Sequence, residues 1–157
     1  MTKKAIQDHY PDNLNQCYGC GGLNEHGLQI KSYWEGEEAV CIYEPKPYHT
    51  AFPGVVYGGM IASLIDCNST AAAAAATCRS GNQPDDSPPI RFLTASLHVD
   101  YILPTPLGVP LEIRSRIAEI KGRKVVVEST LGADGKICAR GKLVAVQVPD
   151  HLVPAAG

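Results

Sequence analysis

The stretch from Pro53 to Cys78, PGVVYGGMIASLIDCNSTAAAAAATC, limits what this chain can fold into more than any other part of it. After the turn pair Pro53-Gly54 and the double glycine Gly58-Gly59 come roughly twenty residues without Pro, Gly, Lys or Arg, a run that reads as one long helix. Met60, Ile61, Leu64 and Ile65 are followed by six alanines, Ala71 to Ala76, so the helix has no face suited to water and is expected to be buried. Alanine favours helix and adds almost no bulk, which lets other elements lie close. Into this dry element the sequence places one charge, Asp66.

At about 1.5 Å per residue the helix is long enough to cross a bilayer. Asp66 would cost roughly 3 kcal/mol there. Asn68, Ser69 and Thr70 add polarity, and the remainder of the chain reads as a water-facing protein, so no membrane is expected as a partner. Buried carboxylates are normally paired. Asp66 is therefore either a structural group, bonded to Thr70 one turn on or to a neighbouring element, or a group kept for chemistry.

A chain of 157 residues fits one domain, which we place at 27–150, with a lead-in at 1–26 and a tail at 151–157. The net charge of −2 comes without a basic run, and aromatics make up only 6%, which speaks against nucleic acid as a partner. The opening MTKKAIQDHYPDNLNQ lacks the apolar core of a secretory signal, so a cytoplasmic location is expected. In that reducing setting the six cysteines, Cys17, Cys20, Cys41, Cys67, Cys78 and Cys138, are expected as free thiols. Cys17 and Cys20 are spaced for a metal or a redox pair. A structural zinc would need two more ligands from scattered residues such as His9, His26 or Cys41, and a redox pair would start a helix rather than run into Gly21-Gly22. The pair reads as a tight turn before the first strand.

From Gly27 the hydrophobic period changes to two. LQIKSYW and EAVCIYE read as a hairpin. Pro45, Pro47 and Pro53 make a rigid loop before the helix, and RSGNQPDDSPP a polar loop after it. Four more strands follow in IRFLTASLHVDYIL, PLEIRSRIAEI, RKVVVESTLG and KICARGKLVAVQV, with Asp134-Gly135 a strong hairpin turn between the last two. No helical pattern separates these strands, so the sheet is antiparallel. Strict alternation places Leu93, Ala95, Leu97, Val99, Tyr101 and Leu103 on one face of the third strand and Thr94, Ser96, His98 and Asp100 on the other. The class is α+β: about six antiparallel strands wrapped around a single long helix. Such a sheet has open edges, and a homodimer with a continuous sheet is the physical expectation.

PGVVYGGMIASLID, FLTASLHVDYILPTPL and EIKGRKVVVES resemble the acyl-CoA thioesterases of the hotdog fold, the PaaI-like and THEM-like group; CYGCGGLNEHGL is similar to the lead-in of many members. The resemblance runs from about Cys17 to Val148. It implies hydrolysis of an acyl-CoA without cofactor or metal, by a homodimer or a dimer of dimers. In that family the helix opens with His-Gly-Gly and an acidic residue eight positions after the first Gly carries the chemistry. Gly58 and Asp66 stand in that relation here, with Tyr57 where the histidine is usual, and Thr94 matches a threonine used by the THEM-like enzymes.

Chemistry supports the same residues. Thioester hydrolysis needs a group that activates water or attacks directly, and donors for the charge that grows on the carbonyl oxygen. Asp66 suits general base or nucleophile, with its pKa lifted by apolar surroundings, and Thr94 suits holding the water. The free amides of Gly58 and Gly59 at a helix start suit the donors. Tyr57 is a pocket wall or a hydroxyl donor. Gly58 and Asp66 are about 12 Å apart along a helix axis, so one substrate carbonyl reaches both only if two antiparallel helices share sites across a dimer. Gly122, Arg123 and Lys124, beside Lys121 at a hairpin tip, suit the phosphates of coenzyme A, although a solvated turn would look the same. His98 and Asp100 read as a dyad or as a solvated face. Two other functions stay open. One is a non-catalytic acyl-CoA-binding module with a structural Asp66. The other is a dehydratase, suggested faintly by His49 with Phe52-Pro53-Gly54.

Overall fold

The computed structural model describes residues 3–80 and 89–155. Its elements run β1 (Tyr33–Glu35), β2 (Glu38–Tyr43), α1 (Gly58–Ser80), β3 (Phe92–Tyr101), β4 (Leu111–Lys121), β5 (Lys124–Ala133) and β6 (Lys136–Gln147), with short 3-10 turns near both ends. The strands form one antiparallel sheet in the order β1-β2-β4-β5-β6-β3, and α1 packs against β2 to β6. One helix wrapped by six strands is the architecture that periodicity and resemblance both imply. The loop expected after the helix lies mostly outside the described residues. Among the described residues no helix is long and apolar enough to cross a membrane.

The first strand is shorter than the expected LQIKSYW. Gln29 adopts a left-handed φ of 56°, and the amides of Leu28 and Ile30 donate to the carbonyls of Tyr18 and Gly19 rather than to a neighbouring strand. Ladder pairing therefore begins only at Tyr33. The lead-in is also part of the core, since Ile6, Tyr10 and Cys20 are buried in the main apolar cluster.

The helix departs from its expected burial in an informative way. Met60, Ile61, Leu64, Ile65 and the run Cys67 to Ala74 are buried, but Gly58, Gly59, Ala62, Ser63 and Asp66 are only partly covered. Spaced by three and four residues, these positions form one stripe along the helix. The polar residues inside the core fix its rotation. Asn68 Nδ2 donates to Ser115 Oγ at 2.7 Å and to the Ala39 carbonyl at 3.0 Å, while Ser69 Oγ lies 2.8 Å from Ser129 Oγ. Because a buried amide or hydroxyl without a partner is costly, α1 is pinned with Asn68 and Ser69 toward β2, β4 and β5. Asp66, about 200° around the helix from Asn68 at 100° per residue, then points toward β3.

On another side α1 lies so close to β6 that a Cβ on Gly141 would come within 2.5 Å of Ile65 Cγ2. Gly141→Ala is expected to overpack this contact and cost about 1–3 kcal/mol, read as a lower midpoint of urea unfolding at an unchanged slope. A midpoint equal to that of the parent protein would show that the contact is not tight.

Candidate active site

The third strand carries an irregularity that decides where Thr94 points. In the pairing of β3 with β6, Thr94 stands opposite Ala145 and Ser96 opposite Val144, so Ala95 is an extra residue that forms a bulge. Beyond it, Leu97 faces Leu143, Val99 faces Gly141 and Tyr101 faces Ala139, all positions on the helix side of β6. Unbroken alternation puts Thr94 on the solvent face with His98 and Asp100; the bulge returns it to the face of Leu97 and Val99. There Thr94 Oγ1 donates a hydrogen bond to Asp66 Oδ1.

Asp66 is half-buried, and burial pushes its carboxyl above the usual carboxylate range; the Thr94 hydroxyl pulls the other way, and the nearby Cys17 sulfur adds to the rise. Among the described residues no Lys, Arg or His forms an ion pair with it. Thr70, the structural partner considered above, spends its hydroxyl on the backbone carbonyls of Asp66 and Cys67, at 3.1 and 3.2 Å. The carboxylate is thus oriented through one oxygen and open at the other, on a partly uncovered stripe.

The helix start forms a second cluster. Val56 and Tyr57 are held by the Thr105 and His49 carbonyls, each at 2.9 Å, and α1 opens at Gly58. Among the described residues the amides of Gly58 and Gly59 have no acceptor. Tyr101 Oη donates to the Gly58 carbonyl at 2.8 Å, tying the helix start to the end of β3. The Tyr57 ring occupies the space that a side chain on Gly59 would need, and it is 57% exposed. No pattern in the sequence singles out Tyr101 for this contact, which joins residues 43 positions apart.

Lys121 and Lys124 pair across the β4–β5 turn, where Gly122 takes a φ of 60°. Lys124 lies opposite Val146, and Val146 opposite Leu93, so the cationic tip stands two strands from the start of β3, about 10 Å across at the usual strand spacing. Arg123 Nη2 donates to the Val148 carbonyl at 3.2 Å. His98 Nε2 and Asp100 Oδ1 are 3.0 Å apart and well exposed on the outer face, the solvated arrangement. His49 Nδ1 accepts the Lys46 amide at 3.0 Å, which commits that ring nitrogen to its own loop.

A family model described as the thioesterase superfamily matches residues 53–137, more than half of the chain, including the helix start, Asp66 and Thr94. The chain belongs to the thioesterase superfamily. A thioesterase superfamily protein from Shewanella loihica PV-4, known from its crystal structure, is 49% identical over 80% of this chain and 96% of its own, with a TM-score of 0.66. Acyl-coenzyme A thioesterase THEM4 of Xenopus laevis is 40% identical over 55% of this chain, and this chain spans about a third (33%) of that relative's length. A Streptococcus mutans protein solved with acetyl-CoA bound shares the fold at 18% identity and a TM-score of 0.64, covering 81% of this chain and 96% of its own. With these relatives the hotdog fold of the chain is established.

Proposed function

We propose that this thioesterase-superfamily chain hydrolyses an acyl-CoA to the free acid and CoA, in a homodimer whose two sites each combine residues of both protomers. The observation that carries the reading is the Asp66 carboxylate, lifted by burial, without a cationic partner among the described residues, and fixed by Thr94 on an open stripe of α1. A carboxylate that costs energy to bury and is not neutralised is placed for reaction rather than for stability.

Dimerisation is supported by what one protomer leaves uncovered. Among the described residues β3 is a sheet edge of ten residues without a partner strand on one side, and Tyr57, Leu93, Tyr101 and Ile102 around it are 57, 48, 54 and 47% exposed. Long apolar edges invite pairing. A second copy laid antiparallel along β3 continues the sheet and brings the half-covered stripes of two helices together. The start of one helix then faces the middle of the other, which brings Gly58 and Gly59 of one protomer to Asp66 of its partner.

In the chemistry that follows, Asp66 takes a proton from water as the oxygen adds to the thioester carbon, or adds its own free oxygen to give an anhydride that water then opens. In both routes the carbonyl oxygen gains negative charge, which the Gly58 and Gly59 amides and the positive end of the helix dipole stabilise. The intermediate expels CoA as thiolate; in the first route the proton that Asp66 took from water returns to that sulfur, and in the second the sulfur takes its proton from the water that opens the anhydride. Thr94 holds Asp66 Oδ1, so that Oδ2 faces the reacting carbon. Gly122, Arg123 and Lys124, at the same end of the sheet as Thr94, hold the phosphates of CoA.

A panel of acyl-CoA and aryl-CoA esters assayed for release of free thiol tests the activity. At least one ester should be turned over catalytically. Binding of the esters without thiol release would overturn hydrolysis in favour of a binding module.

A further inference from the structure

Three thiols from distant parts of the chain meet at one point. Cys17 and Cys20 lie on the lead-in turn, Cys67 lies on α1, and their Sγ atoms are all within 4.8 Å of one another. All three are free, with Cys20 and Cys67 buried and Cys17 half-buried. His9, His26 and Cys41, the partners that spacing alone suggests for Cys17 and Cys20, are not in the group.

We propose that Cys17, Cys20 and Cys67 form a three-thiolate binding site for a thiophilic d10 cation, Cu(I) held by the three sulfurs alone or Zn(II) with a solvent water as its fourth ligand. The donor set selects the ion: no histidine or carboxylate joins among the described residues, and thiolates alone favour soft cations. The geometry is near what such an ion needs, since metal–sulfur bonds of about 2.3 Å place the sulfurs about 3.8 Å apart, within reach of small side-chain rotations.

The protein frame around the thiols is built for their approach. The turn is held by the Gly21 amide on the Cys17 carbonyl at 2.8 Å, and by the Leu28 and Ile30 amides on the Tyr18 and Gly19 carbonyls at 2.8 and 3.0 Å. Between the two cysteines stands Gly19, and any Cβ there would overlap Cys67 Sγ. Glycine at this position lets the helix thiol reach the pair. Charge agrees as well. Three thiolates around Zn(II) carry one net negative charge; in the metal-free chain the hydrogen bond with Cys17 and burial hold the Cys20 thiol above its usual range, while the Arg91 guanidinium, stacked 3.9 Å from the Tyr10 ring centroid, pulls the other way. Arg91 Nη1 is buried without an acceptor among the described residues.

A disulfide engages two of these sulfurs and strands the third; a metal ion uses all three. On binding, each sulfur gives its proton to solvent and its lone pair to the metal. The occupied site would clamp the lead-in turn to α1 at the residue after Asp66. This inference does not depend on the thioesterase reading.

The full chain, fully reduced and stripped by a chelator, should take up one Zn(II) per protomer in competition with a chromophoric chelator, and one Cu(I) under anaerobic conditions. Co(II) as a probe should show thiolate-to-metal charge transfer, and X-ray absorption of the zinc form should read three sulfurs at about 2.3 Å. Saturating zinc should raise the thermal midpoint by about 5 °C or more. Cys17→Ser and Cys67→Ser should each weaken binding at least about 100-fold, while Cys41→Ser and Cys138→Ser should not change it. Should Cys67→Ser fail to fold, folded Cys17→Ser decides: lost binding supports the site and retained binding overturns it. The absence of stoichiometric uptake by the parent protein, or tight binding that survives loss of Cys67, also overturns it.

Discussion

Asp66→Asn is expected to lower kcat for acyl-CoA hydrolysis by about 10²–10⁴-fold while the dissociation constant for the ester stays within a few-fold of the parent value. The amide keeps the size of the carboxylate and still accepts the Thr94 hydrogen bond, but it neither takes a proton from water nor adds to a thioester. Thr94→Val, which leaves the carboxylate in place and removes only the group that orients it, should produce a smaller loss, about tenfold. Stability separates this role from a structural one. The carboxylate is half-buried with no ion pair among the described residues, and burial raises its pKa, so neutralising it removes a cost rather than a support. The variant should therefore unfold at or slightly above the parent temperature. An Asp66→Asn protein that turned over normally, or one that lost activity only because it unfolded, would remove Asp66 from the chemistry.

Mixed dimers give the second large effect. Gly58→Val fills the approach to the helix-start amides at a position where the atoms nearest to a Cβ are those of the Tyr101 side chain, at an ordinary 3.5 Å, so the fold should tolerate the branch. Homodimers of Gly58→Val and of Asp66→Asn should both be nearly inactive. Unfolding and refolding an equal mixture makes about half of the dimers mixed, each with one complete site, so the mixture should recover about one quarter of the parent activity. Two inactive preparations that stay inactive after mixing, with mixed dimers shown by mass spectrometry, would rule out sharing of the site across the interface.

The two experiments bear on features that are legible to different degrees in the sequence. The helix could be read directly, because a run without Pro or Gly, rich in alanine, has one favourable backbone state whatever surrounds it. The observed α1, Gly58–Ser80, begins at the glycine pair that marks it in the sequence. The strands β2 and β4 to β6 were also readable, since alternation and the Asp134-Gly135 turn are local signals. Asp66 stood out as the one charge in a dry element. The family resemblance added Thr94, which alternation alone would have turned to solvent beside His98 and Asp100.

What escaped local reading depended on partners far away in sequence. The bulge at Ala95 exists because β6 offers one fewer residue than β3 at that point, and no pattern within β3 shows it. The shortened β1 reflects competition from the lead-in turn, whose carbonyls take the Leu28 and Ile30 amides. The partial exposure of the small-residue stripe follows from the rotation that Asn68 and Ser69 impose through serines on β4 and β5. Cys67 joins Cys17 and Cys20 only when the lead-in folds back on the helix. The sequence by itself determined the elements and the chemical groups they carry, because backbone propensity and hydrophobic period act over a few residues. Tertiary structure alone decided which of those groups meet, because register, bulge and helix rotation are set by hydrogen bonds and packing between segments that the chain order does not place together.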